Sequence, residues 1–206
     1  MIDSSQLVSS LIDRKVFYFN TVPIRVETVR KLHPRREVYR LNLEKCQELH
    51  GLPTVLVIKE MKDGWQEEFD QEKKAYRSLE CLQGIVIPTF FGQGTFEDSP
   101  ILILSEVIGI TLYELAYSMV PVSLDKLRHQ LEKALELVHS QGAEYLDQRL
   151  DNFFLCDTDQ VMIVDLEQVR FPSDLEDWKD SVNYGGVGSL LYLFNDIRER
   201  KKESTR

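Results

Sequence analysis

Alternating hydrophobic and polar positions predict strands through the first hundred residues. "KVFYFN" alternates and "REVYRLNLEK" has strand-like stretches, so two strands joined by "VRKLHPRRE" are expected. The clearest strand is "TVLVIKEMKDG", where apolar and β-branched residues run to Ile58 and a turn follows at Asp63 and Gly64. "IVIPTFFGQGTF" and "PILILSEVIG" predict two more strands, the second ending at Gly109.

Helical periodicity appears in two longer segments. Between Trp65 and Leu82, large apolar side chains recur at helical spacing with charged residues between them. Ser123 can cap a second helix whose apolar face ends near Gly142. "VMIVDLEQV" predicts a buried strand broken by Asp165, and a flexible "NYGGVG" precedes a short helix, "SLLYLFNDIRERKK".

The order of these elements predicts an α+β protein in two lobes with a hinge near "SEVIG". Residues 1–108 would form a mostly β N-lobe that carries the helix at 65–82. Residues 109–206 would form a reduced, mostly helical C-lobe.

Composition restricts the function classes. The 206 residues are 43% hydrophobic, which is typical of a folded domain. The net charge of -9, from 34 acidic and 25 basic residues, disfavours general nucleic-acid binding. Three widely spaced cysteines (Cys46, Cys81 and Cys156) without a CxxC pattern favour reduced thiols. With no signal-peptide pattern and no apolar run of membrane-spanning length, a soluble, cytoplasmic protein with no membrane partner is expected.

Four features follow one another along the chain. A strand ends near Lys59, a helix carries Glu72, "YLDQRLDN" places Asp147 five positions before Asn152, and a buried strand ends at Asp165. Over roughly residues 55–170 this order resembles the protein kinase-like superfamily, whose catalytic loop reads H-R-D-L-x-x-x-N and whose metal aspartate opens D-F-G. The resemblance implies a two-lobed kinase-like fold with ATP and Mg²⁺ as cofactors.

The resemblance also implies a role for each residue. Lys59, held by Glu72, would contact the phosphates, and Glu106 at the lobe junction would belong to the nucleotide-binding residues. Asn152 and Asp165 would supply the oxygen ligands that Mg²⁺ prefers. Asp147 would take the proton of the acceptor hydroxyl, and Arg149 would offset charge on the transferred group.

Structural explanations compete with several of these roles. Lys59 could be a solvated strand end, Asp147 and Asn152 could form an Asx-type turn, and Glu167 could be an extra metal ligand or a surface residue. Other acidic residues compete with Glu72 for its role: Glu67, Glu68 and Asp70. Tyr145 stands where the family has histidine, a mostly structural position.

Departures from the family pattern bear on the substrate. No glycine precedes Gly51, so the Gly-rich phosphate loop is absent from residues 1–50, and Glu167 replaces the glycine of D-F-G. The stretch after Asp165 is too short for the subdomain that docks peptide substrates, which favours a small-molecule acceptor over a protein.

Three functions therefore remain open. The first is Mg-ATP-dependent phosphotransfer to a small-molecule hydroxyl. The second is a repurposed transferase that performs AMP transfer, amino-acid ligation or cyclodipeptide synthesis from aminoacyl-tRNA, with "RKLHPRR" (Arg30 to Arg36) as the RNA-binding cluster or simply a solvated loop. The third is a pseudokinase interaction module.

Overall fold

The structure, a computed structural model, describes residues 16–34, 36–45 and 51–204. Contacts divide the chain into two compact units. The first comprises residues 1–66 and 89–106, and the second comprises residues 67–88 and 107–206. Arg35 of the basic cluster, Cys46 and His50 lie outside the described residues.

The first unit is a closed antiparallel barrel. Among the described residues its strands are β1 (Val16–Phe19), β2 (Val22–Lys31), β3 (Val38–Leu43), β4 (Val55–Glu60), β5 (Phe90–Phe96) and β6 (Ser99–Ser105). They pair in the order β1-β2-β3-β4-β6-β5, and β5 returns to pair with β1. Alternate residues of β3 and β4 are buried, as expected when one face of each strand lines a core.

Tight turns and one glycine allow this closure. The β1–β2 turn places Asn20 and Thr21 at φ 49° and 67°, which matches the two-residue turn favoured in hairpins. Tyr18 and Phe19 of β1 pair with Thr95 and Gly94 of β5. A Cβ on Gly94 would lie 2.4 Å from the Tyr18 carbonyl oxygen, so a residue without a side chain is required at this seam.

The second unit contains four helices and short strands. The helices are α1 (Gln66–Ser78), α2 (Leu112–Ser118), α3 (Leu124–Ser140) and α4 (Val182–Ser204). The strands are β7 (Gly109–Thr111), β8 (Glu144–Tyr145), β9 (Phe153–Cys156), β10 (Val161–Ile163) and β11 (Val169–Arg170). They form one sheet in the order β10-β9-β7 and a separate β8–β11 pair.

The predicted fold class was wrong. We expected a two-lobed kinase-like fold with a mostly β N-lobe and a helical C-lobe, whereas the strands of the first unit close into a barrel and four helices accompany it. Closure depends on β1 meeting β5, a pairing between distant parts of the chain that alternation within a single strand does not encode. Short strands also recur through the second unit, where mostly helix was expected.

Several single elements agree with the sequence. The strand predicted before Asp63 is β4, and the helix predicted after Ser123 is α3, with the Ser123 hydroxyl accepting a hydrogen bond from the Lys126 amide at 3.4 Å. The C-terminal helix is longer than predicted. Helix α4 begins at Val182 and includes the "NYGGVG" segment that was expected to precede it. In the described part of the chain, no helix combines the length and the apolar character that crossing a membrane requires.

Candidate functional site

Three carboxylates meet in the second unit. Oxygen atoms of Glu72, Asp165 and Glu167 all lie within 4.8 Å of one another. Glu72 is buried, and the two others are half-buried. Carboxylate oxygens grouped in this way have the donor chemistry that hard divalent cations prefer.

Helix α1 turns Glu72 inward and holds the segment that carries the other two carboxylates. Glu72 shares the buried face of α1 with Phe69, Ala75 and Tyr76. Its Oε1 accepts a hydrogen bond from the Leu166 amide at 3.1 Å. The neighbouring Gln71 donates from Nε2 to the Val169 carbonyl at 2.6 Å. Two consecutive side chains of α1 therefore fix the backbone of residues 166–169.

Asp165 adopts an unusual backbone conformation. It lies in the left-handed region, at φ 64° and ψ 73°, shortly after β10 ends at Ile163. Residues other than glycine rarely occupy this region, although aspartate tolerates it better than most. The Tyr145 hydroxyl stabilises this bend, because it donates to the Val164 carbonyl at 3.0 Å and lies 3.4 Å from the Asp165 carbonyl oxygen.

A second polar cluster lies on the loop after β8. Asn152, which is fully buried, donates from Nδ2 to Asp147 Oδ2 at 2.8 Å and to the Asp147 carbonyl at 3.0 Å. Arg149 Nε lies 3.3 Å from Asp147 Oδ1, and Arg149 Nη2 lies 3.3 Å from Asp151 Oδ2. Both carboxylate oxygens of Asp147 are therefore oriented. These contacts hold residues 147–152 together whether or not Asp147 is catalytic.

Burial and nearby carboxylates raise the pKa of two tyrosines in this region. Burial raises the pKa of Tyr76 well above 10.0, and the charges of Glu72 and Asp165 add to the effect. Burial likewise raises the pKa of Tyr145, with further contributions from Asp165 and Asp147. Both phenols therefore stay protonated at neutral pH, so the Tyr145 hydroxyl remains a hydrogen-bond donor to the backbone around Asp165.

Two residues predicted to bind nucleotide belong to the first unit. Lys59 lies on β4, opposite Val38 of β3 and Leu102 of β6. Glu106 forms a two-point ion pair with Arg40, at 2.6 Å from Nε to Oε1 and 3.2 Å from Nη2 to Oε2. Their contacts with nucleotide stay predictions.

The structure therefore assembles five of the seven predicted site residues into two neighbouring groups of one unit, with Glu72 and Asp165 in the first group and Asp147, Arg149 and Asn152 in the second. It also adds Glu167 to the first group, a residue whose role the sequence left open. The hydrogen bond from the Tyr145 hydroxyl to the Val164 carbonyl could not be predicted, because the residues around Tyr145 do not indicate which distant carbonyl group it contacts.

Comparison with known proteins adds no assignment. No protein-family model matches the chain, and no curated protein matches it.

Proposed function

We propose that the protein is a magnesium-dependent phosphotransferase that moves a phosphoryl group from ATP to a hydroxyl group of a small molecule. One observation carries the proposal: a three-carboxylate cluster and an Asp–Asn–Arg cluster lie in the same unit and are linked through Tyr145. The proposal rests on this local arrangement and on the motif resemblance, and it makes no use of the predicted fold class. We place the reaction in the cytoplasm, where Mg-ATP is available.

The carboxylate cluster has the right chemistry and nearly the right dimensions for Mg²⁺. Ligand oxygens about 2.1 Å from one octahedral Mg²⁺ lie roughly 3 to 4.2 Å apart. Separations of up to 4.8 Å would close to that range through side-chain movements of less than about 1 Å. Asp165, Glu167 and Glu72 would supply carboxylate oxygens, and Asn152 is the predicted amide ligand. When bound, Mg²⁺ would offset the negative charge of the phosphate oxygens.

Asp147 would act on the acceptor. Its carboxylate would accept the proton of the hydroxyl group while the hydroxyl oxygen bonds to the γ-phosphorus and the bond from that phosphorus to the ADP oxygen breaks. Asn152 holds the carboxylate in place through the 2.8 Å hydrogen bond to Oδ2. Arg149, whose side chain is 54% exposed, would supply positive charge beside the reacting groups.

Thermal unfolding with and without Mg-ATP tests the binding part of this proposal. A ligand at a hundred times its Kd stabilises the folded state by about 2.7 kcal/mol, which raises the melting temperature measurably. We expect wild type to be stabilised and Asp165→Asn to lose the effect. Glu136→Gln, which alters an exposed carboxylate on α3, is the matched control and should respond like wild type.

Turnover is tested separately. Incubation with Mg-ATP and a panel of hydroxylated metabolites should release ADP and give a phosphorylated product detectable by ³¹P NMR, and Asp147→Asn should abolish product formation without removing the Mg-ATP stabilisation. Absence of any metal-dependent stabilisation in the wild type would refute the proposal.

Lys59→Ala tests the predicted phosphate contact of the first unit independently of both clusters.

A further inference from the structure

The loop that carries Asp147 is attached to the start of α4 by one side chain. Gln148 donates from Nε2 to two backbone carbonyls, that of Tyr145 at 2.8 Å and that of Val182 at 3.1 Å. Tyr145 is the last residue of β8, and Val182 is the first residue of α4. An amide nitrogen with two protons can serve both acceptors at once, so Gln148 joins the two segments directly.

Gly186 leaves the space that this side chain occupies. A Cβ on Gly186 would lie 1.4 Å from Gln148 Oε1 and 2.2 Å from Gln148 Cδ. Those atoms belong to the end of a flexible side chain, so a Cβ would displace the amide without forcing the backbone apart. The neighbouring Gly185 and Gly188 differ, because a Cβ at either position meets no atom of the described residues within 4 Å.

The glycine at position 186 therefore has a packing role that helix stability does not explain. Glycine in a helix interior is unfavourable relative to alanine. Helix α4 nevertheless contains three glycines in its first two turns. At Gly185 and Gly188, no neighbour in the described part of the chain excludes a methyl group. At Gly186 the structure shows the amide of the residue that follows Asp147.

We infer that Gln148 and Gly186 act together as a positioning device that holds Asp147 in place for the acceptor. Gln148 does not touch the predicted reacting atoms itself. It fixes the Asp147 loop against the first turn of α4, while Asn152 and Arg149 contact the Asp147 carboxylate directly. The role in catalysis rests on the proposed function of Asp147, whereas the attachment of the loop does not.

Gly186→Ala is the decisive variant, because it should release Gln148 while keeping the fold. Alanine is the better helix former, so we expect unchanged or increased thermal stability. Hydrogen exchange of the backbone amides of residues 145–152 should become faster by about tenfold, as expected for losing the net contribution of one or two hydrogen bonds. Gly185→Ala and Gly188→Ala are the matched controls and should leave this exchange as in wild type.

Kinetics then separate positioning from a merely structural role. Misplacing a catalytic group by about 1 Å can reduce turnover by roughly a hundredfold, so we expect kcat of Gly186→Ala to fall between about tenfold and a hundredfold. The KM for ATP and the Mg-ATP stabilisation should change much less than kcat, since Glu72, Asp165 and Glu167 belong to other segments and only the predicted ligand Asn152 lies in this loop. Equal kcat values for all three glycine variants would overturn the positioning role.

A double-variant comparison keeps the inference testable if Gly186→Ala acts for another reason. Gln148→Ala should reproduce the faster exchange, and adding Gly186→Ala to it should produce no further change, because both substitutions remove the same contact. Additive effects would overturn the inference. If wild type shows neither Mg-ATP stabilisation nor turnover, the proposed function fails, while the exchange data still decide whether Gln148 anchors the loop.

Discussion

Replacing Tyr145 with phenylalanine removes one hydroxyl group from the centre of the candidate site and keeps the ring. The ring is fully buried and packs edge-to-face on Phe153 with centroids 5.7 Å apart, so the variant retains the apolar contacts. The lost hydroxyl group donates to Val164 at 3.0 Å, and its removal leaves a carbonyl without that donor. We expect the free energy of unfolding at neutral pH to fall by about 1 to 3 kcal/mol.

The same variant has a second signature at alkaline pH. The pKa of Tyr145 is raised above 10.0 in the folded state by burial and by Asp165 and Asp147, so the unfolded chain ionises first. Its contribution to stability is therefore complete below about pH 10 and is lost as pH rises toward the folded pKa, at about 1.4 kcal/mol per pH unit. The pKa of Tyr76 is also raised, so its ionisation in the unfolded chain lowers the stability of wild type and of Tyr145→Phe equally as the pH rises.

Urea unfolding from neutral pH to about pH 11 tests both parts. The stability difference between wild type and Tyr145→Phe should shrink by about 1.4 kcal/mol per pH unit above pH 10, since only the wild type loses the Tyr145 contribution there. Tyr192→Phe, at a position 71% exposed, is the control and should match wild type at every pH. Equal stability of the variant at neutral pH, with parallel curves above pH 10, would refute the reasoning.

Three further predictions concern local structure. Gly94→Ala should lower the urea midpoint by the equivalent of about 1 to 3 kcal/mol, because its Cβ would meet the Tyr18 carbonyl oxygen; a midpoint no lower than that of wild type would contradict this. Thr21→Gly should raise the free energy of unfolding by about 1 kcal/mol, since a β-branched residue at φ 67° is strained, and an unchanged midpoint would count against that strain. Thr111→Ala should cost about 1 kcal/mol by removing the capping box with Glu114, and Thr111→Ser should restore most of it in the same unfolding assay.

Features encoded within one segment could be predicted from the sequence. Helix α3 follows from its cap and apolar period, and β4 follows from its run of β-branched residues. Helix α2 could have been found as well, because Thr111 and Glu114 have the spacing of a capping box. The glycines of "NYGGVG" predict a flexible segment, whereas the segment belongs to α4, and glycine content alone does not show that Gly186 faces a side chain.

Features that join distant segments could not be predicted. Barrel closure requires β1 to pair with β5, and Gly94 alone does not identify β5 as the partner of β1. In the candidate site, the spacing of Asp147 and Asn152 made their contact foreseeable. The sequence left open whether Glu167 is a metal ligand or a surface residue, because its position beside Glu72 depends on the left-handed bend at Asp165 and on the hydrogen bond from the Leu166 amide to Glu72.

The short seam between β1 and β5 also affects how the first unit behaves at high concentration. Among the described strands, each barrel strand has a hydrogen-bonding neighbour on both sides, so the closed barrel offers other molecules no strand edge to extend. The seam contains two paired residues on each strand, Tyr18 with Thr95 and Phe19 with Gly94, whereas β3 and β4 share five pairs. Local opening at this seam would expose two strand edges together with the otherwise buried Phe17. Aggregation should therefore begin from the opened seam, and its rate should follow the opening equilibrium there more closely than the global stability of the protein.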